Sequence, residues 1–466
     1  MSLSLRILVR ESLLVAFLIS LASPPATAQD QNFLAPQSTQ ATGDKRVLMV
    51  VVRFPGTVPS RSLEEVRRRA VLGLNQYVKE QSYGRASLTA DFRGWVTLPD
   101  PLSRYEVSPY NFKVDRGRVR KLIEDTMTAL EASVDFSAYD HLLIIPGVQT
   151  MPAKGYGMIC YCANPGMLSG VSRRYVPRYD TLRSNGGKEF RGGVFVGAEN
   201  AHLGMFAHDY FHALGGIHEG KRLVPCLYDF QRQSDASAGL PAFEHSAIYM
   251  GPWDIMSQHF VRPGEPPPGL SSFTKIRLGW IGSERARLVK PGETSLVFLS
   301  PLAQGGATLV VKVPIAGGRY YLIENRQPVG YDRVLPDSGI LVLRVDPEAD
   351  EGYGTVELVN ADPKAPQFSR APFKLDERER SRFVDARNGV AVIPLWKENA
   401  EVGVLITTPN ESEAALRAAQ GIGKLLARPD AQSGETAEAL GEALAAFREF
   451  DFARSYRIAR EIVGED

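Results

Sequence analysis

Apolar positions along the 466-residue chain change their spacing twice, and each change marks a different architecture. Near the start, "KRVLMVVVRF" carries an unbroken apolar run at 47–52. Such a run predicts a strand buried on both faces. "SLEEVRRRAVLGLNQYVKEQSYG" then places Val66, Ala70, Leu74 and Val78 at helical spacing, with Ser62 as the cap and Glu65 three residues on. That is the signature of a capped helix. "SYGRASLTADFRGWVTLP" alternates as far as Pro99 and reads as a strand or hairpin, a second helix is expected around 116–133, and "YDHLLIIPG" supplies a short buried strand at 142–145. The order β-α-β-α-β predicts a mixed α/β layer. Between 286 and 408 the runs become short and β-rich, as in "TLVVKVPI", "RYYLIENRQ" and "SGILVLRVD", and predict a sandwich-like unit. From 409 to 466 the chain is alanine-rich with amphipathic spacing and predicts a helical tail. The fold class expected is α+β, with units at 45–285, 286–408 and 409–466.

The first residues follow another logic. "MSLSLRILVRES" is basic, "LLVAFLISLA" is apolar, and Ala26 and Ala28 are small. This pattern predicts a secretory signal peptide over 1–28, and hence a secreted, periplasmic or cell-surface protein. The apolar run is short for a membrane span, and no later segment reaches the roughly 18 apolar residues a span needs. Residues 29–44 are polar and are expected to be a flexible leader. A formal net charge of +1 with no long basic run argues against a nucleic-acid partner. Of the three cysteines, Cys160 and Cys162 lie too close in sequence for an easy mutual bridge. A bridge from either to Cys226 and three unbridged thiols are both open.

The candidate chemistry lies in "FAHDYFHALGGIHEG", which holds three of the seven histidines. His208 and His212 are four apart, so on a helix they share a face and can bind one metal ion. Gly215 and Gly216 make a good helix stop. His218, three residues past Gly215, is placed to return as a third ligand. Three protein ligands leave a fourth position open, the catalytic form of a zinc site. Downstream, "GPWDIMSQH" sets Met256 in a tight segment, and three histidines at this spacing followed by a methionine turn form the metzincin pattern.

The chain resembles the immune inhibitor A-like secreted metallopeptidases. The resemblance spans about 47–362 and is carried by "VLMVVVRFPG", "GMFAHDYFHALGG", "GPWDIMS", "KIRLGWI" and "YYLIENRQPVGYDRVLPDSGILVLRVD". It implies a zincin-type endopeptidase acting on a protein or peptide substrate, followed by a β-rich accessory region. By position, His208 and His212 match the helix ligands and Met256 the methionine-turn residue. His218 stands in the third-ligand place, where that family commonly has Asp. Asp209 stands where the family carries the glutamate general base. It is shorter by one methylene, about 1.5 Å, and proton transfer needs hydrogen-bond reach. The alternative to a peptidase is therefore a secreted pseudopeptidase that keeps Zn2+ and acts as a binding or scaffold protein. Accessory regions of such enzymes can also hold Ca2+, for which "DPEADEGYG" at 346–354 is the candidate, without EF-hand spacing.

Overall fold

The structure is a computed structural model and describes residues 33–108, 113–150, 158–171, 175–235, 245–398 and 401–464. The segment expected to be a signal peptide lies outside the described residues. The N-terminal unit is built on strands β1 (Gly43–Arg53), β2 (Ala86–Thr97), β3 (His141–Pro146) and β4 (Cys160–Asn164). After a small hairpin, β5 (Leu182–Arg183) and β6 (Glu189–Phe190), the sheet gains β7 (Gly193–Gly197). Its order is β2-β1-β3-β7-β4, parallel throughout except for β4, which runs antiparallel to β7 at the edge.

The apolar run in β1 is buried on both faces because each face meets a different layer. Val47, Met49 and Val51 join a core with α1 (Leu63–Arg67) and α2 (Leu74–Gln81). Leu48, Val50 and Val52 join a second core with α3 (Arg116–Leu130). Each of these side chains contributes roughly 1.5–3 kcal/mol when fully buried. The capping box at Ser62 and Glu65 forms as the spacing predicts, each side chain bonding the other's backbone N–H.

Residues 33–42 correct the expectation of a flexible leader. Leu34 and Ala41 are buried. The Gln37 amide donates to the carbonyls of Ile276 and Ile281, and the Trp280 indole donates to the Ala41 carbonyl at 2.7 Å. One apolar anchor and one amide fix a segment that its polar composition describes poorly.

The site-bearing helix α4 (Leu203–Gly215) packs on this sheet and is followed by a tight hairpin, β8 (Ile217–His218) and β9 (Lys221–Arg222). Gly215 is required by close approach, since a Cβ there would meet Val224 at 2.7 Å, and Gly216 by its φ of +76°. A short helix, α5 (Ser272–Arg277), lies further on.

Two sheets then stack face to face. One has the order β10 (Ala286–Leu288), β12 (Val310–Pro314), β13 (Tyr320–Arg326), β14 (Gly339–Val345), β15 (Val356–Leu358). The other has the order β11 (Ser295–Leu299), β18 (Glu401–Thr407), β17 (Val390–Glu398), β16 (Phe383–Asp385). Val311, Ile323 and Val342 from the first interdigitate with Val297, Val392 and Val404 from the second. The far face of the first sheet, through Leu322, Leu341 and Leu343, belongs to the core of the N-terminal unit. The far face of the second, through Ile393, Leu395 and Leu405, meets the tail helices α6 (Ser412–Ala427), α7 (Gly434–Arg448) and α8 (Phe452–Val463). The layers therefore share sheets.

A buried polar network sits where β13 faces the N-terminal unit. Arg326, fully buried, donates two bonds to Asp332 at 2.7 and 2.8 Å, one to Glu324 at 3.0 Å and one to the Trp253 carbonyl at 2.9 Å. Glu324 accepts from the Ser272 N–H. Asp254 accepts from the Met256 N–H, from the N–H and hydroxyl of Ser271, and from the Thr274 hydroxyl. Lys275, also buried, donates to the Gln81 carbonyl at 2.6 Å. Burial pushes its ammonium down to about 7, against the opposing pull of Asp332.

Two predictions follow from this network. Arg326→Leu strands two buried carboxylates and is expected to cost about 3–5 kcal/mol, read as a lowered urea midpoint. Lys275 loses its proton near pH 7 when folded but holds it to the ordinary lysine range when unfolded. The unfolded state therefore binds more protons between those limits, and this group's contribution to stability rises with pH across that window. Lys275→Met is expected to flatten the rise in unfolding free energy between pH 7 and about 10. An unchanged slope in the variant would rule out Lys275 as its source.

Candidate metal centre

His208, Asp209 and His212 are all buried on α4. Each histidine is held through Nδ1 by a main-chain carbonyl: His208 by Ile255 at 2.9 Å and His212 by Val224 at 2.7 Å. A carbonyl only accepts, so both Nδ1 atoms carry the hydrogen and both Nε2 atoms present bare lone pairs in the neutral rings. Those two Nε2 atoms face each other at 3.0 Å. The Sγ of Cys226 lies 3.6 Å from one and 3.3 Å from the other.

A proton is a poor resident for this gap. Burial pushes the His208 imidazole down to about 3, and burial, Arg222 and His208 push His212 well below its ordinary value. The three donor atoms form a cluster that could hold a metal ion. Metal–nitrogen bonds of about 2.0–2.1 Å and metal–sulfur bonds of about 2.3 Å in a tetrahedron separate ligand atoms by roughly 3.3–3.6 Å. The observed separations fall close to that. Opposed lone pairs at this spacing, in a site that resists protonation, fit a divalent cation.

Cys226 is fixed from across the molecule. Its N–H donates to Glu351 Oε1 at 2.9 Å, and Glu351 also takes a two-point contact from Arg222, whose Nε lies 3.0 Å from Oε2. The guanidinium is 3.7 Å from Cys226 Sγ. Burial works against the charge on Arg222, but Glu351 and the neighbouring thiols raise its pKa overall. Burial first and Glu351 second push the Cys226 thiol well up, with Arg222 opposing. Asp209 is pushed up to about 7 by burial, with Arg222, the Cys160 thiol and the Cys162 N–H pulling the other way.

The structure does not bring His218 to the histidine pair. The turn between β8 and β9 is Glu219–Gly220, both at positive φ (49° and 74°). It pairs Ile217 with Arg222 and His218 with Lys221. Paired residues share a face of a hairpin. Arg222 points inward, so His218 points out, with 48% of its side chain exposed and its ring 4.0 Å from Glu219. The side chain that stands beside the pair as a third possible donor is Cys226. Met256 is fully buried, its carbonyl accepts from the Leu227 N–H at 2.8 Å, and the methionine segment is thereby stitched to the cysteine segment. All three cysteines are free thiols, so neither candidate bridge is formed. In the 346–354 loop Asp346 accepts from the Glu348 N–H and Glu351 is taken by Arg222 and Cys226.

Cys226, Cys160 and Glu351 escaped the motif. The one local signal was Gly220, a turn former two residues past His218. No family model matches this chain, and no curated protein matches it. Among solved structures it is similar to catalytically inactive OgpA from Akkermansia muciniphila, determined in complex with an O-glycopeptide substrate. The identity is 10%, covering 84% of this chain and 98% of that one, and the TM-score of 0.24 is too low to carry an argument about fold or activity.

Removing a donor should empty the centre. Cys226→Ala and His212→Ala are expected to lose stoichiometric metal by elemental analysis, whereas His218→Ala keeps it. Glu351→Gln, which alters the support of a ligand, is expected to weaken metal binding by about 10–100-fold.

Proposed function

We propose that the protein is a zinc-dependent peptidase whose metal is held by His208, His212 and Cys226, with Asp209 as the proton-transfer group. The observation that carries this reading is the pair of opposed Nε2 atoms with the Cys226 sulfur beside them. Three protein donors leave one position for water or substrate. Zinc, when bound, polarises a carbonyl and lowers the pKa of a coordinated water. The chain's own contribution is to hold both imidazoles in one tautomer and to seat Asp209 one residue from the first ligand, in a buried position where desolvation raises its carboxyl. A general base works best with a pKa near the operating pH. Strand β4 ends the sheet beside this helix, and an edge strand can align an extended peptide by main-chain hydrogen bonds. The signal-like N-terminus supports action outside the cytoplasm.

A second reading, a zinc-bearing binding protein without turnover, is favoured by one observation. The hydrogen bonds of Asp209 run to the Cys160 thiol and the Cys162 N–H of β4. A carboxylate one methylene short and engaged in that direction has less reach toward a water at the metal.

Casein hydrolysis by zinc-loaded protein separates the two. The peptidase reading expects cleavage that a chelator abolishes and that Asp209→Ala lowers by about 10²-fold or more. If the wild type binds zinc and only Asp209→Glu cleaves, the binding-protein reading stands.

A further inference from the structure

Among the described residues, the buried arginines carry a carboxylate, with one exception. Arg222 has Glu351, Arg326 has Asp332 and Glu324, and Arg380 has Asp337 and Glu377. Arg277 is 9% exposed and has no carboxylate partner among the described residues. Its Nη1 donates to the Pro36 carbonyl at 3.1 Å, and its guanidinium lies 5.1 Å from the centre of the Phe273 ring. Beside it is Lys312, also without a carboxylate. Lys312 Nζ donates to the Phe33 carbonyl at 2.5 Å and sits 3.9 Å from the centre of the Tyr320 ring.

Both side chains line one cavity of about 690 Å³, together with Phe273, Tyr320 and Pro36. The carbonyls of Phe33 and Pro36 satisfy one donor on each cation but cancel no charge. Burial, with Arg277 adding to it, pushes Lys312 down to about 8, and burial lowers Arg277 as well. No carboxylate contributes to either shift, Tyr320 alone opposing the lowering of Arg277, although Glu219, Glu348, Asp350 and Glu351 also line the cavity. Two like charges that are partly desolvated, side by side and each without a carboxylate in contact are costly, because buried charges are ordinarily paired.

We propose that Arg277 and Lys312 form an oxyanion-binding site in this cavity, which takes a carboxylate, phosphate or sulfate group. A guanidinium presents paired N–H donors to two oxygens of such a group, and an ammonium adds a compact charge with donors to spare. Phe273 and Tyr320 supply apolar wall that shields the pair from water, which strengthens the attraction. Holding the 33–36 segment explains why the two cations bond those carbonyls, but it leaves both charges uncompensated. An oxyanion supplies what the carbonyls cannot. The same cavity also reaches Arg222 and Glu351, which hold Cys226, but the two cations are distinct from the metal donors and their anion binding is read without metal or turnover.

The test is isothermal titration calorimetry on the full chain at constant ionic strength. The probes are sodium sulfate, inorganic phosphate and N-acetyl-dialanine, with N-acetyl-dialanine amide as the neutral control. At least one oxyanion is expected to bind with one-to-one stoichiometry while the amide does not. Tighter binding of the dipeptide acid points to a peptide carboxylate as the source, and tighter phosphate or sulfate binding to an ester or inorganic anion. Lys312→Met is expected to weaken the best probe by about tenfold or more. Arg277→Met should do the same, with its fold checked by circular dichroism. If it does not fold, Lys312→Met, at a less buried position, decides alone. The proposal is overturned if none of the three oxyanions binds at millimolar concentration, or if Lys312→Met binds as the wild type does.

Discussion

Two imidazole nitrogens with their lone pairs opposed at 3.0 Å are an electrostatic liability, and the rest of the centre is arranged around them. Neither ring can turn its hydrogen inward, because a carbonyl behind each already holds it. Neither can take up a proton cheaply at this depth. The liability therefore fixes the chemistry of what belongs in the gap. It also makes the two carbonyls, of Ile255 and Val224, as much a part of the centre as the rings, in the way outer-shell partners orient metal ligands.

Those carbonyls sit on segments that the β-sandwich holds in place. Arg326 grips the Trp253 carbonyl two residues before Ile255, and Glu351 grips Arg222 and the Cys226 N–H on the other side. Both grips use charges taken out of water. Buried ion pairs are weak sources of net stability, yet removing one partner is strongly destabilising. Such contacts suit geometry that must not drift. The cost is limited here because Arg326 and Glu351 each spread their bonds over several partners.

What could be read from the sequence is what is local. The run at 47–52 declared a doubly covered strand, Ser62 and Glu65 declared a cap, and the spacing of His208 and His212 declared a shared helix face. The third donor was hidden by parity. A motif counts residues, but the Glu219–Gly220 turn at positive φ reverses the chain and sends His218 outward. Cys226, 14 positions beyond His212, carried no signal of its own. Glu351 looked like one carboxylate among several in an acidic loop, and its role depends on an arginine 129 positions away. The leader misled for the opposite reason: its composition is polar, but Leu34 and Gln37 are enough to tie it down.

The sequence distance between Cys226 and the carboxylate that seats it is 125 positions. During synthesis the two histidines and the cysteine emerge long before Glu351 exists. The support behind Cys226 is therefore completed only after the sandwich has formed and its acidic loop has come back across the molecule. The last of the cluster's geometry is a product of two distant stretches of chain docking, and not of the histidine segment alone.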